Sequence, residues 1–171
     1  MEQLKMIRNN RDVGKIIFPE GYYMRSYQKG DGAGWCGCCI DGSLGVDEIS
    51  EAVFERKMLS DHNVNPDNIF FLIAPSGEIA GTVTYRYAND KDTGTIHMVG
   101  ITKKYLGRHL ALPMLLHAVN KIIEDNKTTI DLTTDDWRLP AIKTYLRAGF
   151  KPVYHMPDME ERWRLIMEQI G

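Results

Sequence analysis

The sequence lacks a hydrophobic segment long enough to cross a membrane. Its longest apolar run, residues 69–74, is far shorter than the roughly 20 residues that a spanning helix needs. Residues 1–11 contain no secretory hydrophobic region. Cysteine is scarce: Cys36, Cys38 and Cys39 are too few and too crowded to frame a secreted disulfide scaffold. We therefore expect a chain that is neither exported nor membrane-inserted and that works in the reducing cytoplasm.

The sequence also lacks an excess of charge of one sign. Its 21 basic and 23 acidic residues give a formal net charge of -2, which argues against a general affinity for nucleic acid or anionic membrane. Any anionic ligand must therefore be bound by local groups. Over 171 residues the hydrophobic share is 43% and the charged share 26%, with no repeat and no long linker, so we expect one globular domain over residues 1–171.

In the first half of the chain, apolar alternation predicts mainly strands. We expect strands at 21–27, 69–74, 78–87 and 95–101, the last three being antiparallel neighbours joined by a turn at 75–77 and a polar tip at 89–92. In the strand at 95–101, alternation places His97, Val99 and Ile101 on one face and Ile96 and Met98 on the other. A helix is expected at 47–59, capped by Asp47, whereas the glycine-rich stretch 30–45 has no assignable pattern.

In the second half, the period changes to that of helices. Apolar residues recur in pairs four apart and predict one buried helical face, namely Leu110, Ala111, Met114, Leu115, Ala118, Val119, Ile122 and Ile123. A strand at 130–132, a helix at 140–148 stopped by Gly149 and a strand at 150–154 follow, an order that predicts parallel pairing. The stripe Trp163, Ile166, Met167 and Ile170 favours a final helix over an edge strand at 159–163. We expect this helix to pack within the chain by default, or alternatively across a homodimer.

The most informative segment is residues 101–111, a basic, glycine-containing loop between a strand and the strongest helix. The first turn of a helix has unpaired N–H donors and a positive dipole end, so a phosphate or pyrophosphate can bind there. Lys103, Lys104 and Arg108 are expected to strengthen the local field. Pro113 is tolerated only near a helix start, so the loop is expected to extend to about His109.

This loop resembles the phosphate-binding signature of the GNAT (GCN5-related N-acetyltransferase) superfamily, which is Arg or Gln, two residues, Gly, one residue, then Gly or Ala. The signature falls on residues 106–111, with Leu106 at the Arg/Gln position, His109 at the central Gly and Ala111 at the end. Residues 141–150 resemble the family's helix that ends in Tyr, three residues and Gly-Phe, here Tyr145 to Phe150. Arg138 stands where members often carry Asn, and the resemblance covers most of residues 69–155.

The resemblance implies a GNAT fold of the mixed α/β (α+β) class. Such a fold has a central, mostly antiparallel twisted sheet with a parallel pair splayed at the cofactor site and helices on its flanks. It also implies acetyl-CoA as acyl donor and no metal. The cofactor-binding positions it implies are Val99, Gly100, Ile101, Leu106, Gly107, Arg108, His109, Leu110, Ala111, Arg138 and Ala141. The basic residues of 137–157, namely Arg138, Lys143, Arg147 and Lys151, would give coenzyme A a basic rim.

By the same resemblance, an acetyl group passes directly to an acceptor amine. The main-chain N–H near Val99 would contact the thioester carbonyl, and Tyr145 would be the general acid for the departing thiolate. Packing of the Tyr145 ring is the structural alternative. For the general base, His97, Asp135 and Asp136 are candidates without a diagnostic motif, and each has a structural alternative as a packed histidine or a turn residue.

Two further features remain open on sequence alone. The segment 35–39 invites a metal or thiol hypothesis, but its spacing matches neither a CxxC pair nor a known nucleophile motif, so packing of small cysteines near the acceptor cleft is favoured. Trp35 either lines an acceptor pocket or anchors its loop. As acceptor we expect a small-molecule amine or a peptide, with no nucleic acid or membrane partner. A noncatalytic acyl-CoA-binding module, or an interaction domain that has lost CoA binding, is the alternative function.

Overall fold

A seven-stranded mixed sheet forms the centre of the protein. The computed structural model describes residues 2–40, 44–88 and 90–171. The strands are β1 (Leu4–Asn9), β2 (Tyr23–Ser26), β3 (Ile69–Ile73), β4 (Ile79–Tyr87), β5 (Thr93–Ile101), β6 (Thr129–Thr134) and β7 (Lys151–Val153). Their order across the sheet is β2-β3-β4-β5-β6-β1-β7. The pair β5–β6 is parallel, and the other neighbours in the described residues are antiparallel.

In the described residues, five helices flank this sheet. They are α1 (Gly32–Cys39), α2 (Glu51–Phe54), α3 (Ala111–Glu124), α4 (Leu139–Arg147) and α5 (Met159–Ile170), and α2 continues as a π-helical turn over Glu55–Leu59. Pro113 lies in the first turn of α3, and Gly149 with φ of 86° follows the end of α4, so both helix boundaries confirm the predicted signals. Within the described residues no helix is long and apolar enough to cross a membrane.

The three predicted neighbouring strands are confirmed. β3, β4 and β5 are consecutive and antiparallel, and the first turn between them lies at residues 75–77. At the second turn, Asn89 of the predicted polar tip lies outside the described residues. The final helix is also confirmed, because α5 buries Trp163 and Ile166 within the chain while Met167 remains exposed.

Strand β1 was not predicted, and it changes the pairing in the second half of the sheet. β1 pairs with β6 on one side and with β7 on the other, antiparallel to both. Parallel pairing is therefore right for β5 with β6 but wrong for β6 with the strand after α4, since β1 separates them. The buried side chains of Leu4 and Met6 hold β1 in this position.

The glycine-rich stretch 30–45 contains helix α1, which sequence periodicity did not reveal. Its glycines allow close approach to the sheet: a Cβ at Gly34 would overlap the Ile79 side chain, and a Cβ at Gly100 of β5 would overlap the Cys38 carbonyl. Residues 41–43 of this stretch lie outside the described residues. The next helix begins at Ser50 rather than Asp47, because the Ser50 hydroxyl accepts the Val53 N–H at 3.3 Å.

The sheet separates two apolar clusters. The larger one packs α3, α4 and α5 against the sheet and includes Leu72, Met114 and Trp163. The smaller one lies among α1, α2 and the opposite face of β3, and includes Trp35 and Phe71. Both clusters meet β5, so this strand is held from two sides at the place where the candidate site forms.

Candidate active site

An irregularity in β5 opens the sheet at the candidate site. Met98 and Val99 together face the single residue Val83 of β4, and Met98 has φ of 52°, the left-handed region. On its other edge β5 pairs with β6 only through residues 93–95 and 129–131. Beyond Thr95 the two strands no longer pair, which leaves a wedge-shaped gap between them. The predicted splayed parallel pair is confirmed.

The bulge also corrects the predicted alternation along β5. Ile96 lies in the larger apolar cluster, and Val99 and Ile101 pack against that same cluster, whereas Met98 packs against the smaller one. The prediction that Val99 and Ile101 share a face opposite to Ile96 is therefore wrong, because the extra residue at the bulge reverses the facing of all later side chains. The irregularity is at Met98 rather than at Gly100, where the missing Cβ instead makes room for α1.

A row of free main-chain donors lies at the start of α3. Residues 103–105 form a 3-10 turn, and α3 begins at Ala111. In the described part of the chain, the N–H groups of residues 107–112 have no hydrogen-bond acceptor. The positive φ of Gly107, 75°, turns the chain so that the loop joins the helix. Consecutive free N–H groups at a helix start are the local chemistry that binds a phosphate oxygen.

His109, at the central glycine position of the signature, has a left-handed backbone angle that glycine adopts without strain. Its φ is 58°, which for a residue with a Cβ costs about 1 kcal/mol or slightly more. Leu106, at the first signature position, has 61% of its surface exposed and lines the same cleft as His109.

Of the three predicted loop cations, only Arg108 lines the cleft in the described structure. Its guanidinium lies 5.2 Å from the centre of the Tyr105 ring, which fixes its direction. Lys104 instead binds Glu78 at 2.6 Å on the neighbouring hairpin. The predicted basic rim is similarly reduced: Arg138 lines the cleft, whereas Lys143 donates to the Ile170 carbonyl at 3.0 Å.

The splayed strands, the loop and α4 enclose a cleft of about 510 Å³. All of the predicted cofactor-binding positions line it, namely Val99, Gly100, Ile101, Leu106, Gly107, Arg108, His109, Leu110, Ala111, Arg138 and Ala141. Their role in binding stays a prediction. The sequence interpretation missed Trp137, Pro140 and Thr144, which line the same cleft. Trp137 has 64% of its surface exposed. The available sequence signal for its place in the cleft was a tryptophan close to the start of the helix predicted at 140–148.

Tyr145 lies on α4 at the inner end of this cleft. Only 4% of its surface is exposed, and its ring packs edge-on against Phe150 with 6.2 Å between ring centres. Burial raises the pKa of the phenol, and the nearby Arg138 charge opposes this shift. Its hydroxyl makes no hydrogen bond to residues 2–40, 44–88 or 90–171. A protonated, unpartnered hydroxyl at this point can donate to a ligand atom.

A second, smaller cleft of about 260 Å³ adjoins the first and shares Val99, Arg138 and Tyr145 with it. The other predicted catalytic residues, His97 and Asp135, line this cleft. Burial, followed by the Arg86 charge, lowers the pKa of His97 to about 4, so its imidazole is neutral at pH 7. Asp135 accepts a hydrogen bond from Gln3 Nε2 at 3.1 Å.

Asp136 has a structural role rather than a place in either cleft. Its carboxylate accepts two hydrogen bonds from Arg162, at 2.5 and 2.9 Å, which tie the end of β6 to α5. The hydrogen bond from Arg162 also lowers the pKa of this carboxyl. A carboxylate held in a charge-assisted fork is a poor base, so Asp135 is the better candidate of the two.

The cysteines are packing residues of α1. Cys36, Cys38 and Cys39 are buried in α1, which confirms the interpretation that they pack in a helix, although they line neither cleft. Burial raises the pKa of the Cys38 thiol to about 11, which disfavours the thiolate that nucleophilic or metal chemistry needs. The described residues contain no group of three or more His, Cys, Asp or Glu that could hold a metal ion.

Trp35 is an anchor rather than a pocket wall. Its side chain is fully buried and packs on Phe54, with 5.5 Å between ring centres. This contact joins α1 to α2 in the smaller apolar cluster. Of the two open interpretations of Trp35, the structure therefore supports the anchor.

Comparisons with known proteins agree with this geometry. The sequence profile of the acetyltransferase (GNAT) family matches residues 41–150, more than half of the chain. Curated proteins give no significant match to the sequence.

Similar solved structures are two GCN5-related N-acetyltransferases and a GNAT-family acetyltransferase. The protein from Sphaerobacter thermophilus has a TM-score of 0.69 at 21% identity, with 88% of this chain and 48% of that chain covered. The protein from Kribbella flavida has a TM-score of 0.62 at 14% identity, with coverages of 89% and 55%. The protein from Staphylococcus aureus has a TM-score of 0.64 at 15% identity, with coverages of 81% and 90%.

The chain thus spans about half the length of the first two structures and most of the third. At these identities the likeness establishes the fold, and the profile match establishes the family. The chain belongs to the acetyltransferase (GNAT) family.

Proposed function

We propose that this protein transfers an acetyl group from acetyl-CoA to a primary amine of a small molecule or peptide by direct attack. One observation carries the proposal: a single cleft joins the free N–H groups of residues 107–111 to the protonated hydroxyl of Tyr145, where a second, polar cleft begins. The first feature suits the polyanionic end of coenzyme A, and the second suits an acyl transfer at its thiol end.

The residues of the larger cleft fit this cosubstrate. The N–H groups of 107–111 and the Arg108 guanidinium would hold the pyrophosphate. Beyond Thr95 the β6-facing edge of β5 is unpaired, so its main-chain groups at 99–101 are available to the pantetheine arm. Acetyl-CoA, when bound, supplies the activated acyl group.

Three tasks then fall to the residues where the two clefts meet. Tyr145 holds a proton at its hydroxyl for the departing sulfur, and burial keeps that proton in place at neutral pH. The Val99 N–H is our candidate donor to the thioester carbonyl. His97 is neutral at pH 7 but, with its pKa near 4, is only a weak base. Either His97 or Asp135, which line the same cleft, would accept the amine proton through water.

A noncatalytic acyl-CoA-binding module is the second candidate. The observation that favours it is the occupation of two signature positions by Leu106 and His109, both of which line the cofactor cleft. Such a module would bind acetyl-CoA without transferring its acetyl group. In either case we expect a cytoplasmic location, because three crowded cysteines do not frame a secreted disulfide scaffold.

The test is calorimetric titration of the protein with acetyl-CoA, followed by a free-thiol assay with a panel of amines. We expect saturable binding and amine-dependent release of thiol. Arg108→Ala should weaken binding, whereas Lys104→Ala should leave it unchanged, because Lys104 is bound to Glu78 outside the cleft. Binding without thiol release for any amine would favour the sensor module, and absence of binding would refute both candidates.

A further inference from the structure

The smaller cleft has a positive lining, although the whole chain has a slight negative charge. Its charged side chains in the described structure are Arg86, Arg138 and Asp135. His97, which also lines it, adds no charge at neutral pH because its burial favours the neutral imidazole. Two guanidinium groups and one carboxylate therefore line this cleft, so an anionic group of an acceptor can meet both guanidinium groups there.

In the described structure, both guanidinium groups keep N–H donors that no protein acceptor uses. Arg86 reaches Asp61 through one nitrogen at 3.4 Å, which leaves its other donors free. The Arg138 main chain bonds to Asp135 and Ile142, but its guanidinium makes no hydrogen bond or ion pair within residues 2–40, 44–88 and 90–171. A guanidinium presents paired N–H donors in a fork whose shape matches a carboxylate.

The lone acid of the cleft is arranged differently. Asp135 receives the Gln3 side-chain amide on one oxygen, so its other oxygen remains for a ligand. An ammonium group can bind there while an anionic group binds the guanidinium groups. A cleft of about 260 Å³ admits only a small molecule or the end of a longer one.

We infer that the acceptor is a small amine that also carries a carboxylate, as an amino acid does, with Arg86 and Arg138 binding the carboxylate. This inference rests on the proposed acetyl transfer and names its substrate class. The same lining disfavours diamines and polyamines, because each additional ammonium would meet like charge without enough carboxylate partners.

For each of several amino acids, the experiment compares three matched acceptors: the amino acid itself, its carboxamide and the amine that lacks the carboxylate. Acetyl transfer is followed by thiol release, and kcat/KM is determined for each. We expect the amino acid to exceed its carboxamide by roughly ten- to hundred-fold, the range for a hydrogen-bonded charge pair. Arg86→Gln should bring this ratio close to one. Arg164→Gln, the same substitution on α5 outside both clefts, should leave the ratio unchanged.

Arg138→Gln provides a second variant in case Arg86→Gln destabilises the fold. The affinity for acetyl-CoA is measured in parallel, because Arg138 lines both clefts. Equal or faster transfer to carboxamides or diamines would overturn the inference, as would an Arg86→Gln loss that is the same for all three acceptors. If no amine supports thiol release, the proposed function itself fails, an outcome that is distinct from transfer without carboxylate preference.

Discussion

Replacement of Tyr145 by Phe separates catalysis from binding and folding in one variant. The change removes a hydroxyl that has no hydrogen-bond partner in the described structure and leaves the buried ring against Phe150 in place. Because no buried partner is orphaned and no cavity opens, we expect the free energy of unfolding to change by less than about 1 kcal/mol. The affinity for acetyl-CoA should also be preserved, since the N–H groups of 107–111 are untouched.

Catalysis should respond much more strongly. A general acid contributes about 10²- to 10⁴-fold, and a thiol with pKa of about 8.5 is already a moderate leaving group, so we expect a loss near the lower end, about 100-fold in kcat. This corresponds to roughly 2.7 kcal/mol of transition-state stabilisation. The burial that raises the Tyr145 pKa also predicts that the wild-type rate does not decline until pH exceeds the ordinary tyrosine range.

The assay is steady-state thiol release at saturating acetyl-CoA and amine, with calorimetric affinity and urea unfolding measured on the same preparation. Thr144→Ser, on the same helix and at the same cleft, is a suitable control, because it keeps a hydroxyl there and should retain most of the activity. A Tyr145→Phe enzyme that keeps its kcat within about threefold would refute the role of Tyr145 as general acid. A variant that loses acetyl-CoA affinity instead would assign the residue to binding.

Three further predictions address the larger cleft, the packing of α1 and the dependence of stability on pH. Trp137 is exposed in the cleft while the other two tryptophans are buried, so coenzyme A should change the fluorescence of the wild type but not of Trp137→Phe. Gly100→Ala should cost about 2 kcal/mol or more in urea unfolding because its Cβ meets the Cys38 carbonyl, whereas Gly37→Ala, in open space on α1, should be neutral or stabilising by up to about 1 kcal/mol. Because the pKa of His97 is lowered to about 4, the unfolded chain binds its proton first as pH falls; stability is therefore complete above the unfolded pKa of about 6.5 and declines between pH 6.5 and 4. His97→Gln should remove that part of the decline, and an unchanged pH profile in the variant would show that other groups cause it.

Local sequence signals determined a large part of the architecture. The four-residue pairing of apolar side chains predicted α3, and Gly149 predicted the end of α4, because both depend on contacts a few residues apart. The turn at 75–77 predicted the β3–β4 hairpin for the same reason. The family resemblance added the fold and the positions that now line one cleft.

Other features depend on contacts between distant parts of the chain. Helix α1 has little helical signal because it contains three glycines, of which Gly34 allows close packing on Ile79 of β4. Strand β1 is short, and its place between β6 and β7 is fixed by pairing with segments more than 100 residues away. No periodicity within residues 4–9 contains that information.

The site shows the same division. The sequence by itself determined the loop that we propose binds phosphate, since a strand, a glycine-containing loop and a helix start are consecutive in the chain. Only the tertiary structure decided which charges reach it: Arg108 faces the cleft, Lys104 binds Glu78, and Asp136 binds Arg162. The bulge at Met98 likewise cannot be deduced from alternation, because it results from the pairing of β5 with β4. Charge and facing are settled by neighbours that folding brings together, which is why the smaller cleft and the two guanidinium groups that line it emerge only from the three-dimensional structure.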